Sequence, residues 1–215
     1  MNKTKSYSHC YIFENIEDIS DALFSQFLEK VSAKRREKAL SFVNTLDQRL
    51  SVMAELLLLH ALKREGFHEG LPNISEGPYG KPYFEEFPSL HFNISHCPKS
   101  IACAISNTPI GVDVEHVGSF AWDVAKITLN KSEFAKVCAA NSPELEFLHY
   151  WTRKESYLKL KGLGLCNNLP SLLINIKDVH FQTIDYPRGY TCSICTDDNH
   201  ICQAPILMPL ESLLI

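Results

Sequence analysis

The apolar residues of this chain switch from helical to extended spacing, and do so twice in the same order, which few architectures accommodate. Ile19, Leu23, Phe27 and Leu28 stripe residues 18–31, and a second pattern rich in Lys and Arg opens at Ser32 and runs through Phe42. The longest pattern, 46–65, carries Leu50, Met53, Leu57 and Leu58 and stops at Gly66. With these stretches the first 70 or so residues read as helical. Proline and glycine then punctuate 71–82, which reads as a loop. From Leu90 the period falls to two: Phe92 and Ile94 alternate with His91, Asn93 and Ser95, then 101–105 follows Pro98, and 110–115 alternates again. These segments predict a small antiparallel sheet of three strands. Helical spacing returns at 121–129, 131–140 and 143–161, and extended spacing at 172–207. The predicted fold class is α+β, with two halves, 1–108 and 109–215, each a small antiparallel sheet packed on helices; the halves show no convincing sequence repeat.

With 215 residues the chain can bury a substantial core without staples. Hydrophobic residues at 45% and charged residues at 21% exclude a disordered or fibrous chain. Its 21 basic against 25 acidic side chains leave a net charge of −4, which argues against a general nucleic-acid binder. No stretch approaches the ~18 apolar residues of a membrane span. Residues 1–13 mix Lys3, Lys5, Ser6, Ser8 and His9 with no apolar signal core, so a cytoplasmic protein is expected.

Eight cysteines in such a chain are expected to be reduced thiols. Cys192, Cys195, His200 and Cys202 have zinc-ligand chemistry, but 188–195 and 200–207 read as strands about a turn at 196–199. Residues three apart on one strand point to opposite faces, and no second C-x-x-C is present. Core or surface thiols are the expectation.

Ile110-Gly-Val-Asp-Val-Glu115 would turn Val112 and Val114 to a core and set Asp113 and Glu115 on the other face, Cα atoms ~7 Å apart. Such a pair is compatible with a solvated polar face or with a hard-cation site, where oxygen ligands suit Mg²⁺ or Mn²⁺. On the helix that follows, Trp151, Glu155 and Lys159 fall at i, i+4 and i+8, on one face. Gly162-Leu-Gly164 ends a helix where a dinucleotide fingerprint would open one, which removes a nicotinamide or flavin reading. Phe92-Asn-Ile-Ser-His-Cys97 places His96 at a strand end, and Gly77-Pro-Tyr-Gly-Lys-Pro82 is a turn that projects Lys81. Lys34, Arg35, Arg36 and Lys38 form a basic helix start, and each segment alone also fits ordinary surface.

Taken in order, Gly-Lys-Pro, Phe-Asn-Ile-Ser-His, Gly-Val-Asp-Val-Glu and Trp-Thr-x-Lys-Glu-Ser-x-x-Lys-x-x-Gly-x-Gly resemble the surfactin-synthetase-activating type of 4′-phosphopantetheinyl transferase. The resemblance implies a large, monomeric enzyme built as a pseudo-dimer. It implies transfer of the phosphopantetheine arm of coenzyme A to a serine of an apo acyl or peptidyl carrier protein, with release of 3′,5′-ADP. Asp113, Glu115 and Glu155 would bind Mg²⁺, with Mn²⁺ as a substitute; Asp113 and Lys159 would face the pyrophosphate. Lys159 would offset charge on the leaving oxygen, and Glu155, or less directly Glu133, would be the base. Lys81, Ser95 and His96 match coenzyme A contacts, while Arg35, Lys38 and Arg49 match basic positions toward its 3′-phosphate. Cys97 stands where a serine is common, and Val114 leaves the strand without a third acid.

No membrane or nucleic-acid partner is implied. Phe120, Trp122 and Ile127 either roof the core or leave one or two of their number exposed to dock the carrier, as the corresponding segment does in the family it resembles, with Lys126 and Lys131 nearby to steer it. A non-catalytic coenzyme A- or carrier-binding homologue is the alternative, which loss of Glu155 or Lys159 would favour; both are present.

Overall fold

The structure, a computed structural model, describes residues 7–118, 120–164, 168–174, 176–197 and 204–213. Its first element is a strand, β1 (Ser8–Glu14), where the sequence had been read as helical. Cys10–Phe13 is buried without a break. Tyr11 and Phe13 pack among the helices, whereas Cys10 and Ile12 face a second sheet. A strand covered on both sides has no polar face, so the alternation that betrays half-exposed strands is missing.

Helices α1 (Asp21–Leu28), α2 (Ala33–Leu40) and α3 (Thr45–Arg64) follow, capped by Ser20, Ser32 and Asn44, whose side chains accept from the amides of Leu23, Arg35 and Leu46. Such caps satisfy donors that the first helical turn leaves unpaired. The predicted loop 71–82 contains part of a hairpin, β2 (Ile74–Glu76) with β3 (Pro82–Phe84). β4 (His91–Cys97) and β5 (Ser100–Ser106) pair antiparallel, and β1 takes the other edge of β5. β6 (Ile110–His116) therefore joins a different sheet, of order β6-β8-β7, with β7 (His180–Tyr186) and β8 (Tyr190–Thr196). The three strands expected in one sheet are divided between two. A short β9 (Ile206–Leu207) returns to lie parallel to β1, completing the order β4-β5-β1-β9.

Among the described residues no helix is long and apolar enough to cross a membrane. Cys192 and Cys195 are both buried thiols; His200 and Cys202 lie outside the described residues.

α4 (Trp122–Thr128), α5 (Lys131–Ala139) and α6 (Pro143–Lys161) share an apolar cluster of Ala125, Leu129, Val137, Phe147 and Leu148. Lys154 of α6 is wholly buried in side chain; its ammonium donates to Thr128 O at 2.8 Å and Glu133 Oε2 at 2.6 Å. Glu133 also accepts from the Asn130 amide in a capping box, so one carboxylate ties α5 to its own start and to α6. On the other side of α6, Gly111 of β6 lets two backbones meet: a Cβ there would lie 2.0 Å from Ser156 O and 2.5 Å from Leu160 N.

Two stability outcomes follow from these contacts. Gly111→Ala forces α6 off β6 and is expected to cost ~3 kcal/mol, read as a lower denaturation midpoint at unchanged m; an unshifted midpoint would show that the contact yields. Glu133→Gln strands the buried Lys154 ammonium and should cost about 3 kcal/mol, most of it recovered in the Glu133→Leu/Lys154→Met double variant.

Candidate active site

β4 and β6 are both edge strands of their sheets, and side chains join them. Asn93 Oδ1 accepts from the Val112 amide at 2.8 Å, and Ser95 Oγ accepts from the Val114 amide at 3.3 Å. The offset is the same at both points, so the strands run parallel, β4 offering alternate side chains where a neighbour would offer carbonyls. Asp113 lies between the two anchored amides. Val112 and Val114 are fully buried in the core, which sends Asp113 and Glu115 to the opposite face.

α6 crosses that face. Ser95 Oγ donates to Asp113 Oδ1 at 2.8 Å, and the Lys159 ammonium donates to Asp113 Oδ1 at 2.6 Å and Ser95 Oγ at 2.7 Å. Trp151 Nε1 donates to Glu115 Oε1 at 3.2 Å. These groups, with Glu155, Ile94 and His96, line an open pocket of about 220 Å³. A larger cavity of about 570 Å³ lies by the 66–73 loop, but none of these acids lines it.

The electrostatics are those of crowded acids. Burial, then the charge of Asp113, pushes the Glu115 carboxyl up to about 7. The same two causes in the same order raise Glu155, while burial and then Lys159 lower His96. Asp113 Oδ2 and Glu155 Oε1 are buried with no hydrogen-bond partner. Two orphaned carboxylate oxygens beside a third acid that resists ionisation form a donor set that a hard divalent cation would satisfy. Among the described residues no three acidic, histidine or cysteine side chains are already drawn into a metal cage, and Lys159 supplies the countercharge at Asp113.

The other expected site residues stand elsewhere. Lys81 does not project: its ammonium donates to Leu160 O at 2.8 Å and Ile110 O at 3.2 Å, and burial lowers it to about 8. Arg35 pairs with the buried Glu55 at 3.0 Å, Arg49 with the exposed Asp21 at 2.7 Å, and Lys38 is exposed on α2. Glu133 is held by Lys154 and does not line the pocket. No site role is read from the sequence for Trp151 or Asn93; Trp151's i, i+4 relation to Glu155 and Asn93's two-residue step from Ser95 are the available signals.

A family description, the 4′-phosphopantetheinyl transferase superfamily, matches residues 109–205, which contain the acidic strand and all of α6. A 4′-phosphopantetheinyl transferase of Bacillus subtilis is 33% identical over 177 residues, covering 80% of this chain and 79% of the relative. The 4′-phosphopantetheinyl transferase gsp of Aneurinibacillus migulanus is 30% identical over 83% of this chain and 81% of its own. The 4′-phosphopantetheinyl transferase Sfp of Bacillus subtilis (strain 168) is 27% identical over 88% of this chain and 92% of its own. Likeness of this extent makes the chain a member of the 4′-phosphopantetheinyl transferase superfamily.

Proposed function

We propose that this chain transfers the 4′-phosphopantetheine group of coenzyme A to a serine of an apo acyl or peptidyl carrier protein and releases 3′,5′-ADP. The supporting observation is the convergence of Asp113, Glu115, Glu155 and Lys159 on one pocket. The serine oxygen attacks the phosphorus bearing the pantetheine arm, the P–O bond to the nucleotide breaks, and the serine proton passes to Glu155. Asp113, Glu115 and Glu155 would hold Mg²⁺, or Mn²⁺ in its place, which when bound supplies positive charge against the pyrophosphate. Lys159, steered by Asp113 and Ser95, meets the charge growing on the leaving oxygen. Glu155 takes the base role because it lines the pocket, whereas Glu133 is committed to Lys154 outside it.

His96 and Ser95 are proposed to touch coenzyme A at the pocket, and Lys38, Arg35 and Arg49 to reach its nucleotide, whereas the Lys81 ammonium is held by the carbonyls of Ile110 and Leu160. On this reading 1–108 carries most of these basic contacts and 109–215 the acidic ones, in a monomer that acts in the cytoplasm without nucleic acid or membrane. Trp122 and Ile127 on α4 are 44% and 72% exposed and offer the carrier an apolar foothold, while Phe120 turns inward against Phe147.

The direct test is mass spectrometry of an apo carrier after incubation with coenzyme A and MgCl₂, looking for the added phosphopantetheine; a carrier left unmodified would favour a binding homologue. Asp113→Asn should lower turnover on the order of 10²-fold or more, and full turnover by that variant in EDTA would sink the metal assignment. Since Glu115 holds its proton in the fold up to about 7, its contribution to metal-free stability is complete below the unfolded value and fades as pH rises through 7. A cation needs the deprotonated form, so MgCl₂ should raise Tm more at pH 8 than at pH 5; equal shifts would contradict this. Trp122→Ala should lower kcat/KM for an intact carrier at unchanged coenzyme A affinity, and unchanged carrier kinetics would move docking off α4.

A further inference from the structure

Among the described residues, Asn93 and Ser95 are the side chains of β4 that accept from the backbone of the acidic strand. Ser95 has several duties: it accepts from the Val114 amide and from Lys159 and donates to Asp113. Asn93 lies one pleat away, 5% exposed, outside the pocket lining, and its Oδ1 takes the Val112 amide at the shorter distance, 2.8 Å. Asp113 hangs from the backbone between these two amides, 3% exposed, with one oxygen held by Ser95 and Lys159 and the other free.

We infer that Asn93 is a positioning residue for Asp113: by fixing the Val112 amide it sets where the carboxylate on the next residue stands relative to Lys159 and Glu155. The inference rests on the activity proposed above and assigns to that site a residue that touches neither substrate nor cation. β8 pairs with β6 along its other edge. On the edge facing β4, an anchor at Val114 alone leaves the backbone at Val112 free to tilt about the Ser95 contact and carry Asp113 with it, and anchors at both amides prevent the tilt. An edge strand paired by carbonyls would lock every second amide; here two side chains do that work, and Asn93 is the one with no competing role among the described contacts. A serine at its place can still accept, since Ser95 already holds Val114 in that manner at 3.3 Å.

The test compares wild type with Asn93→Ala, Asn93→Ser and a control, Asn107→Ala, which removes a like bond to the Tyr7 amide at 2.9 Å at the far end of β1. Amide exchange is read first, on metal-free protein. Val112 should be protected in wild type and lose at least about tenfold of that protection in Asn93→Ala. Mn²⁺ affinity, followed by electron paramagnetic resonance, should weaken ~10-fold in Asn93→Ala, the scale seen when groups supporting a ligand are removed. Turnover should fall ~10- to 100-fold with KM for coenzyme A nearly unchanged. Asn93→Ser should recover most of all three, and Asn107→Ala should lower Tm without moving any of them.

A Val112 amide that exchanges freely in wild type overturns the inference without recourse to a variant, even if Asn93→Ala fails to fold. So do an Asn93→Ala variant with wild-type Mn²⁺ affinity and turnover, and an Asn93→Ser variant no better than alanine. A wild type that neither binds Mn²⁺ nor modifies a carrier overturns the proposed function and this inference with it; an active wild type beside an indifferent Asn93→Ala overturns the inference alone.

Discussion

Two strand edges meeting through side chains is the constraint on which the rest of the site depends. β4 and β6 each end a sheet, and exposed edges invite unwanted pairing. Burying them against one another removes that hazard but leaves amides to satisfy, and Asn93 and Ser95 satisfy them at Val112 and Val114. A continuous backbone ladder would have closed the seam completely. The side-chain join instead admits a carboxylate, a hydroxyl and an ammonium to the same place, and the Asp113–Ser95–Lys159 knot is the result.

That knot is held in electrostatic tension. One ammonium faces three carboxyl groups in a partly buried pocket, so proton affinity rises at Glu115 and Glu155 rather than charge being fully neutralised. Gly111 sets how closely the tension is focused, because the absence of a Cβ lets α6 carry Glu155 and Lys159 onto the acidic strand. On its far side α6 is moored through Lys154 to α5 and the end of α4. The helix bearing half the site is thus fixed from both flanks, by one contact that needs no side chain and one that needs a charge pair.

The acid pair, its facing and the Trp151–Glu155–Lys159 stripe were legible in the sequence because strand and helix periodicities assign faces directly. The α+β class was legible for the same reason. β1 was not, since burial on both faces erases its period. Nor was the parting of β6 from β4 and β5, because sheet membership depends on which edges are already taken, and β1 had taken the edge of β5. The inward turn of Lys81 was hidden as well. Its partners are backbone carbonyls of Ile110 and Leu160, and a carbonyl has no letter in a sequence. Arg35 was read by its charge, while its partner Glu55, buried on α3, carried no mark of pairing.

β1 has a consequence for how the chain comes into being. It is synthesised before both of its partners, since its neighbours are residues 100–106 on one edge and 206–207 on the other. Among the described residues no strand close in sequence pairs with it, and closing such distant contacts is slow. On a ribosome Cys10-Tyr-Ile-Phe13 therefore emerges as a bare apolar segment and stays so until β5 has been made, open to wrong partners in the interval. A strand that the finished protein buries on both faces is thus, among the described strands, the one longest exposed while it is being built.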